Sequence, residues 1–420
     1  MKEKFVIKGG KKLNGEVEIG GSKNSAGAIL AATLLTNEDC IIDNLPLVSD
    51  ILSLLKILRK IGSKIEWLDK RKIKINNKDI FPENLDFEEI GKSRISVLLL
   101  APLFLRFKSF KFSHPGGDRI GLRPITSHLE GFKKMGAEIS QNNQFYFFKR
   151  KKEKIQGKEI IIDFSVTATE NMMMVGTLAK GKTKIKLAAA EPQVQDLGNF
   201  LKKMGAKIKG LGTHEIEIEG TKKLKGAYHK IIPDPLEAGT FIIGAVITQG
   251  RVKVKNVIFD HLTSFLKKLK EIGVKMEMKK NSLILHPSPY LRATKIQAFP
   301  FPGFPTDLIP PMIPLLTQAK GNSLIHDPLY ENRLNFVQEL RKMGADIEIV
   351  DPHRAFVFGR TNLIGNKIES WDIRAGASLI LAGLKAKGET IIENIHQIDR
   401  GYEKIEEKLK NLGANIERIC

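Results

Sequence analysis

One motif recurs six times and decides what this chain can fold into. It is an amphipathic stretch ending in basic residues, then a glycine, then an alternating run. Leu58-Arg-Lys-Ile-Gly-Ser-Lys-Ile65, Leu201-Lys-Lys-Met-Gly-Ala-Lys-Ile208 and Leu340-Arg-Lys-Met-Gly-Ala-Asp-Ile347 are three of its copies. The six glycines are Gly62, Gly136, Gly205, Gly273, Gly344 and Gly413, separated by 74, 69, 68, 71 and 69 residues. Basic residues in a last helical turn suit the helix dipole, and a glycine just beyond can take the left-handed capping conformation. Period-two alternation then predicts a strand. Upstream of the motif lies a second, more apolar helix rich in small residues, as in Ala26 to Leu35, Glu170 to Leu178, Ala238 to Ile247 and Ala375 to Leu384. Such a helix belongs inside. A unit of about 70 residues is too long for a solenoid repeat and too small for a robust lone domain. The reading is therefore α/β: two clusters of three units, helices inside and sheets outside.

Composition narrows the partners. At 42% hydrophobic and 27% charged, the chain is an ordinary globular protein. The longest near-continuous apolar stretch, Ile95 to Leu105, is too short to span a bilayer, and no secretory signal is visible at the N-terminus. Cys40 and Cys420 sit outside any metal or redox spacing, so a reducing cytoplasm is expected, without disulfides or a zinc site. The net charge of +21 is carried by lysines scattered in ones and twos. That pattern disfavours nucleic acid and membrane as partners and leaves small phosphorylated ligands.

Several segments carry chemistry. Gly20-Gly21-Ser22-Lys23-Asn24 opens the first small-residue helix, where glycines, exposed N–H groups and Lys23 could hold an anion; a glycine hinge with a solvated lysine is the plainer alternative. Pro115-Gly-Gly-Asp118-Arg119-Ile-Gly-Leu-Arg123-Pro124 sets an acid and two guanidiniums on a glycine-rich loop before a helix, as a lid with a proton donor and phosphate ligands would, or as an ordinary charged turn would. Asp307, before another apolar helix, is a helix cap or a general base. Glu331-Asn332-Arg333, Asp372-Ile-Arg374 and Asp399-Arg400 place arginine beside an acid. Each is a structural pair when taken alone. Together with Lys23, Arg94 and Arg123 they are a set of cations able to gather a multiply charged anion. No nucleophile elbow or Walker loop is present.

From Gly9 to Ile419 these motifs closely resemble the UDP-N-acetylglucosamine 1-carboxyvinyltransferase family of enolpyruvyl transferases. The marks are Ser22-Lys23-Asn24, the Pro115–Pro124 loop, Ser165-Val166 with Ala168-Thr-Glu-Asn171, Pro233-Asp234, Glu237-Ala-Gly-Thr240, Phe304-Pro-Thr-Asp307, Glu331-Asn-Arg333 and Asp399-Arg-Gly-Tyr402. The sister family, enolpyruvylshikimate-phosphate synthase, is less similar at the loop and at Asp307. The resemblance implies two inside-out α/β barrel domains of three units each. One spans 22–229 and carries the lid loop, about 112–124; the other joins 1–21 to 230–420. It implies addition of the 3′-hydroxyl of UDP-N-acetylglucosamine to phosphoenolpyruvate with loss of phosphate, opening peptidoglycan synthesis, with no metal or organic cofactor. Asp307 would be the base and Asp118 the acid. Lys23, Arg123 and Arg400 would hold the phosphate of phosphoenolpyruvate, Arg333 and Arg374 its carboxylate, and Asn24 would also bind this substrate. Arg94, Arg123, Pro124, Ile125, Thr126, Ser127, Phe164, Ser165, Val166, Asp307 and Leu329 would bind the nucleotide sugar.

The chain departs from the family's pattern at four places. Asp118 stands where many members have Cys, Thr126 where Asp is usual, Pro235 where Arg is usual, and Pro310-Pro311 where a polar helix start is usual. Thr126 and Pro235 keep open a transferase for another hydroxyl acceptor, and a silent nucleotide-sugar-binding paralogue is a third possibility. The joint presence of Lys23, Asp118, Arg123, Asp307 and Arg400 argues against the third.

Overall fold

The computed structural model describes residues 3–420. Its strands form six sheets, and five of them share one plan. An edge strand runs parallel to a second strand, which pairs antiparallel with a third, which pairs antiparallel with a fourth. Glu159–Ile161, Lys182–Lys186, Glu215–Glu219 and Lys207–Lys209 are one example. Lys295–Gln297, Gly321–His326, Arg354–Gly359 and Ile347–Asp351 are another. The parallel step crosses through an inner helix, here Val166–Leu178 and Ile309–Leu316, as a parallel pair requires. These inner helices are buried on every side. All residues from Glu237 to Ile247 and from Ile373 to Leu384 are buried.

The outer helices carry the repeated motif. Ser49–Lys60, Pro192–Lys203 and Thr263–Glu271 each bury one apolar stripe and carry lysines or arginines in the last turn. The six motif glycines all have positive φ, between 87° and 116°. This conformation costs an L-residue about 1–2 kcal/mol. At Gly205 a Cβ would meet nothing, so Gly205→Ala is expected to lose that amount in equilibrium denaturation. Gly62→Ala is expected to lose more, because its Cβ would also lie 2.2 Å from the Asp79 carbonyl oxygen.

Contacts divide the chain into two units, one of 1–20, 119–122 and 233–420, the other of 21–118 and 123–232. Each has three of the sheets and its own apolar core. Where the chain passes from one unit to the other, two edge strands are exchanged. Asn14–Glu18 precedes the helix Lys23–Thr33 but pairs with Arg251–Lys255. Tyr228–Lys230 precedes the helix Pro235–Ile247 but pairs with Cys40–Asp43.

The sixth sheet, Ser109–Ser113, Phe145–Arg150 and Ala137–Gln141, lacks the parallel edge strand. A short helix, Phe87–Lys92, lies against Ser109–Ser113 instead. The Ser113 hydroxyl donates to the Phe87 carbonyl at 3.3 Å, and the Phe87 ring meets Phe145 edge-on at 4.9 Å. The unit that breaks the pattern is the one bearing Arg94 and the Pro115–Pro124 loop. Among the described residues no helix is long and apolar enough to cross a membrane.

Candidate active site

In the unit of 21–118 and 123–232, the helix Lys23–Thr33 starts from a Ser22 cap. Lys23 is buried and bonds Asp50 on the first outer helix at 3.1 Å; Asn24 beside it is half-buried. The space at Gly21 is taken by the Asn44 carbonyl, 1.9 Å from where a Cβ would stand, so this glycine serves packing. Arg94 begins the turn Arg94–Leu99 and donates to the Pro124 carbonyl at 3.0 Å. A Cβ on Gly117 would lie 2.9 Å from the Arg94 Cβ and 3.0 Å from an Arg123 guanidinium nitrogen. The loop therefore brings both arginines against the residue before Asp118, which is half-buried.

Beyond Arg123, Pro124, Ile125 and Thr126 border an open cavity of about 510 Å³, which Leu129, Lys133, Ile139, Ser140, Gln141 and Tyr146 complete. No carboxylate lines it. Tyr146 is 8% exposed, and burial pushes its phenol pKa up while Arg94 works the other way. Sequence reasoning missed Tyr146, whose only signal was its place in an alternating strand. Ser127 is half-buried in the first turn of Thr126–Lys134. His128 in the same helix is buried and pushed down to about 3, chiefly by desolvation and then by Arg94, so it stays neutral. The Asn171 amide donates to its Nδ1 at 3.0 Å, which leaves the proton on Nε2, facing Thr167 Oγ1 at 3.0 Å. This bond network ties the Thr126 turn to the start of Val166–Leu178. There Phe164, in left-handed conformation with φ 57°, precedes Ser165 and Val166 and packs edge-on against His214.

The other unit centres on Asp307. It does not cap a helix: it lies in the turn Thr306–Leu308, with Pro310 and Pro311 in the first turn of Ile309–Leu316, where no N–H is needed. Its carboxylate accepts from Arg333 at 2.9 Å and from Arg374 at 3.1 Å. Both guanidiniums are buried, Arg333 to 1% exposure. Burial alone would lower the pKa of each. Asp307, Asp372 and Asp327 outweigh it at Arg333, and Tyr402, Asp307 and Asp234 at Arg374, so both stay charged. Arg333 stacks on Tyr330 at 5.0 Å and Arg374 on Tyr402 at 5.3 Å. Tyr402 shares a 2.8 Å hydrogen bond with Thr240. Asp327, fully buried, accepts from Thr306 at 2.5 Å and from the Leu329 N–H at 3.0 Å. It thereby positions Leu329, and no sequence motif marked it.

The acid–arginine neighbours are not pairs. Asp372 caps Ile373–Lys385 through the N–H groups of Arg374 and Ala375. Asp399 binds Arg418 at 2.6 and 2.9 Å, while Arg400 donates to Gln397 at 2.9 Å. Pro235 stands at the first position of its helix behind the Asp234 cap, where proline is favoured. The Cys40 thiol is buried and pushed up to about 11, and no cluster of metal-ligating side chains occurs among the described residues.

Comparisons with known proteins agree with the fold. A family profile described as EPSP synthase (3-phosphoshikimate 1-carboxyvinyltransferase) matches residues 7–409. UDP-N-acetylglucosamine 1-carboxyvinyltransferase 1 of Caldanaerobacter subterraneus subsp. tengcongensis is 44% identical over 421 residues, with all of both chains covered. The enzyme of that name from Finegoldia magna is 44% identical over 99% of each chain. Among solved structures, the enolpyruvyl transferase NikO from Streptomyces tendae shares the fold with a TM-score of 0.91 at 23% identity, covering 99% of both chains. EPSP synthase from Acinetobacter baumannii does so at 0.77 and 18%, covering all of both. The sixfold repeat, the paired three-sheet units and the full-length relatives together show that this chain belongs to the UDP-N-acetylglucosamine 1-carboxyvinyltransferase family of enolpyruvyl transferases.

Proposed function

We propose that the chain transfers the enolpyruvyl group of phosphoenolpyruvate to the 3′-hydroxyl of UDP-N-acetylglucosamine, in the cytoplasm, as the first committed step of peptidoglycan synthesis. The observation that carries this reading is the Asp307 carboxylate held between two buried, charged guanidiniums. Arg333 and Arg374 are built to grip a carboxylate, and the substrate brings one. When it takes the arginines, Asp307 loses two cationic partners and its basicity rises. It then accepts the sugar hydroxyl's proton as the oxygen bonds to C2. Asp118 gives a proton to the C3 methylene, completing the addition. In the second half the C2–O bond to phosphate breaks, C3 gives a proton back to the Asp118 carboxylate and the double bond returns. Lys23, Arg123 and Arg400 hold the departing phosphate, with Asn24 among the residues that bind phosphoenolpyruvate. Arg94, the Arg123–Ser127 turn, Phe164 to Val166 and Leu329 hold the nucleotide sugar.

The test is phosphate release from phosphoenolpyruvate with UDP-N-acetylglucosamine, with the product identified by mass. Absence of turnover with both substrates bound would leave a silent paralogue. A transferase for another hydroxyl acceptor is the second reading, favoured by the carboxylate-free cavity beside Thr126. It predicts phosphate release only when that other acceptor is supplied. With Asp at 118 and Cys40 buried, fosfomycin is expected to leave no covalent adduct at residue 118; an added mass on that peptide would refute this.

A further inference from the structure

The tip of the glycine-rich loop, Arg119–Leu122, belongs by its contacts to the unit that holds Asp307. Two hydrogen bonds fix it there. The Leu122 N–H donates to the Glu331 carboxylate at 2.6 Å, and the Asn332 N–H donates to the Ile120 carbonyl at 3.0 Å. Ile120 is 4% exposed. Gly121, between them, has φ 138°, and a Cβ there would stand 2.3 Å from a Glu331 carboxylate oxygen. The positive φ favours glycine here, and a side chain at 121 would push the Glu331 carboxylate aside. The Leu122 bond, followed by Glu331's own N–H, holds the Glu331 carboxyl below its ordinary range, which keeps it an acceptor at neutral pH. The next residue but one is Arg333, whose guanidinium holds Asp307 at 2.9 Å.

Three consecutive residues thus meet two parts of the chemistry. Glu331 and Asn332 grip the loop tip, and Arg333 grips the candidate base. We propose that Glu331 is a positioning residue that seats the loop and ties its seating to the orientation of Asp307. Glu331 itself touches neither reacting group. The kinetic half of this inference rests on the function proposed above; the loop half does not.

Trypsin reads the loop half without substrate. It can cut after Arg119, whereas the proline after Arg123 blocks the next bond. In the full chain at pH 8, Glu331→Ala is expected to raise cutting at Arg119–Ile120 about tenfold, the equivalent of 1.4 kcal/mol. Cutting in the exposed 151–154 stretch serves as the control and is expected to stay unchanged. Glu331→Gln, which keeps an acceptor oxygen, is expected to restore much of the shielding. Wild-type cutting at Arg119 in Glu331→Ala would overturn the proposal. If that variant is cut faster everywhere, Gly121→Ala decides, since equal cutting of it and the wild type at Arg119 would overturn it too. In turnover, Glu331→Ala is expected to lower kcat with KM for the nucleotide sugar within about twofold, and Glu331→Gln to recover part of kcat. A raised KM at unchanged kcat would remove the tie to Asp307. If shielding changes as expected but the wild type turns over no substrate pair, the proposed reaction falls and the loop seat stands.

Discussion

Asp118→Asn lowers kcat by a factor of about 10²–10⁴, the usual contribution of a positioned proton donor, while nucleotide-sugar binding stays within a few-fold. The side chain keeps its shape and hydrogen-bonding reach and loses only the acidic proton. Its position makes the large effect reasonable. Gly117, with φ 132°, presses against Arg94 and Arg123, so the loop delivers residue 118 beside the two cations assigned to the substrates. Asp118 is half-buried and Arg119 next to it is exposed. Steady-state turnover and equilibrium binding of UDP-N-acetylglucosamine check the split. Wild-type kcat in Asp118→Asn would take this residue out of the reaction, and binding lost along with kcat would make its role structural.

The repeat was legible because capping and burial are local. A left-handed glycine after a basic helical turn leaves its mark within eight residues, and a buried helix shows itself by its small and apolar residues. Pairing between distant strands leaves no such mark. Nothing near Asn14–Glu18 says that its partner is Arg251–Lys255, so the exchange of edge strands at the crossings could not be read. Nor could the replacement of an edge strand by Phe87–Lys92. At the site, residue types were legible and partners were not. Sequence neighbours in a helix or turn point in different directions. That is why Glu331 reaches Leu122 and Arg333 reaches Asp307, and why Asp399 finds Arg418 rather than Arg400. Asp327 and Tyr146 carry weight in their own units because they are buried, which a single sequence does not mark.

Asp307→Asn is expected to produce three changes whose signs differ. First, kcat falls by about 10²–10⁴, because the amide cannot take the hydroxyl proton. Second, the substrate-free protein loses about 1–3 kcal/mol of stability, because two buried guanidiniums lose a shared anion. Asp327 and Tyr402 stay beside them and limit the loss. Third, phosphoenolpyruvate binds more tightly than to the wild type, since its carboxylate no longer competes with Asp307 for Arg333 and Arg374. The ligand then returns part of the lost stability, in proportion to the logarithm of its concentration over Kd. Generic damage to the site would lower kcat and weaken binding together. Calorimetric titration with phosphoenolpyruvate, beside denaturation with and without it, separates the two cases. Weaker binding in Asp307→Asn would mean that the arginines do not exchange one carboxylate for another, and the proposed release of the base by its own substrate would fail with it.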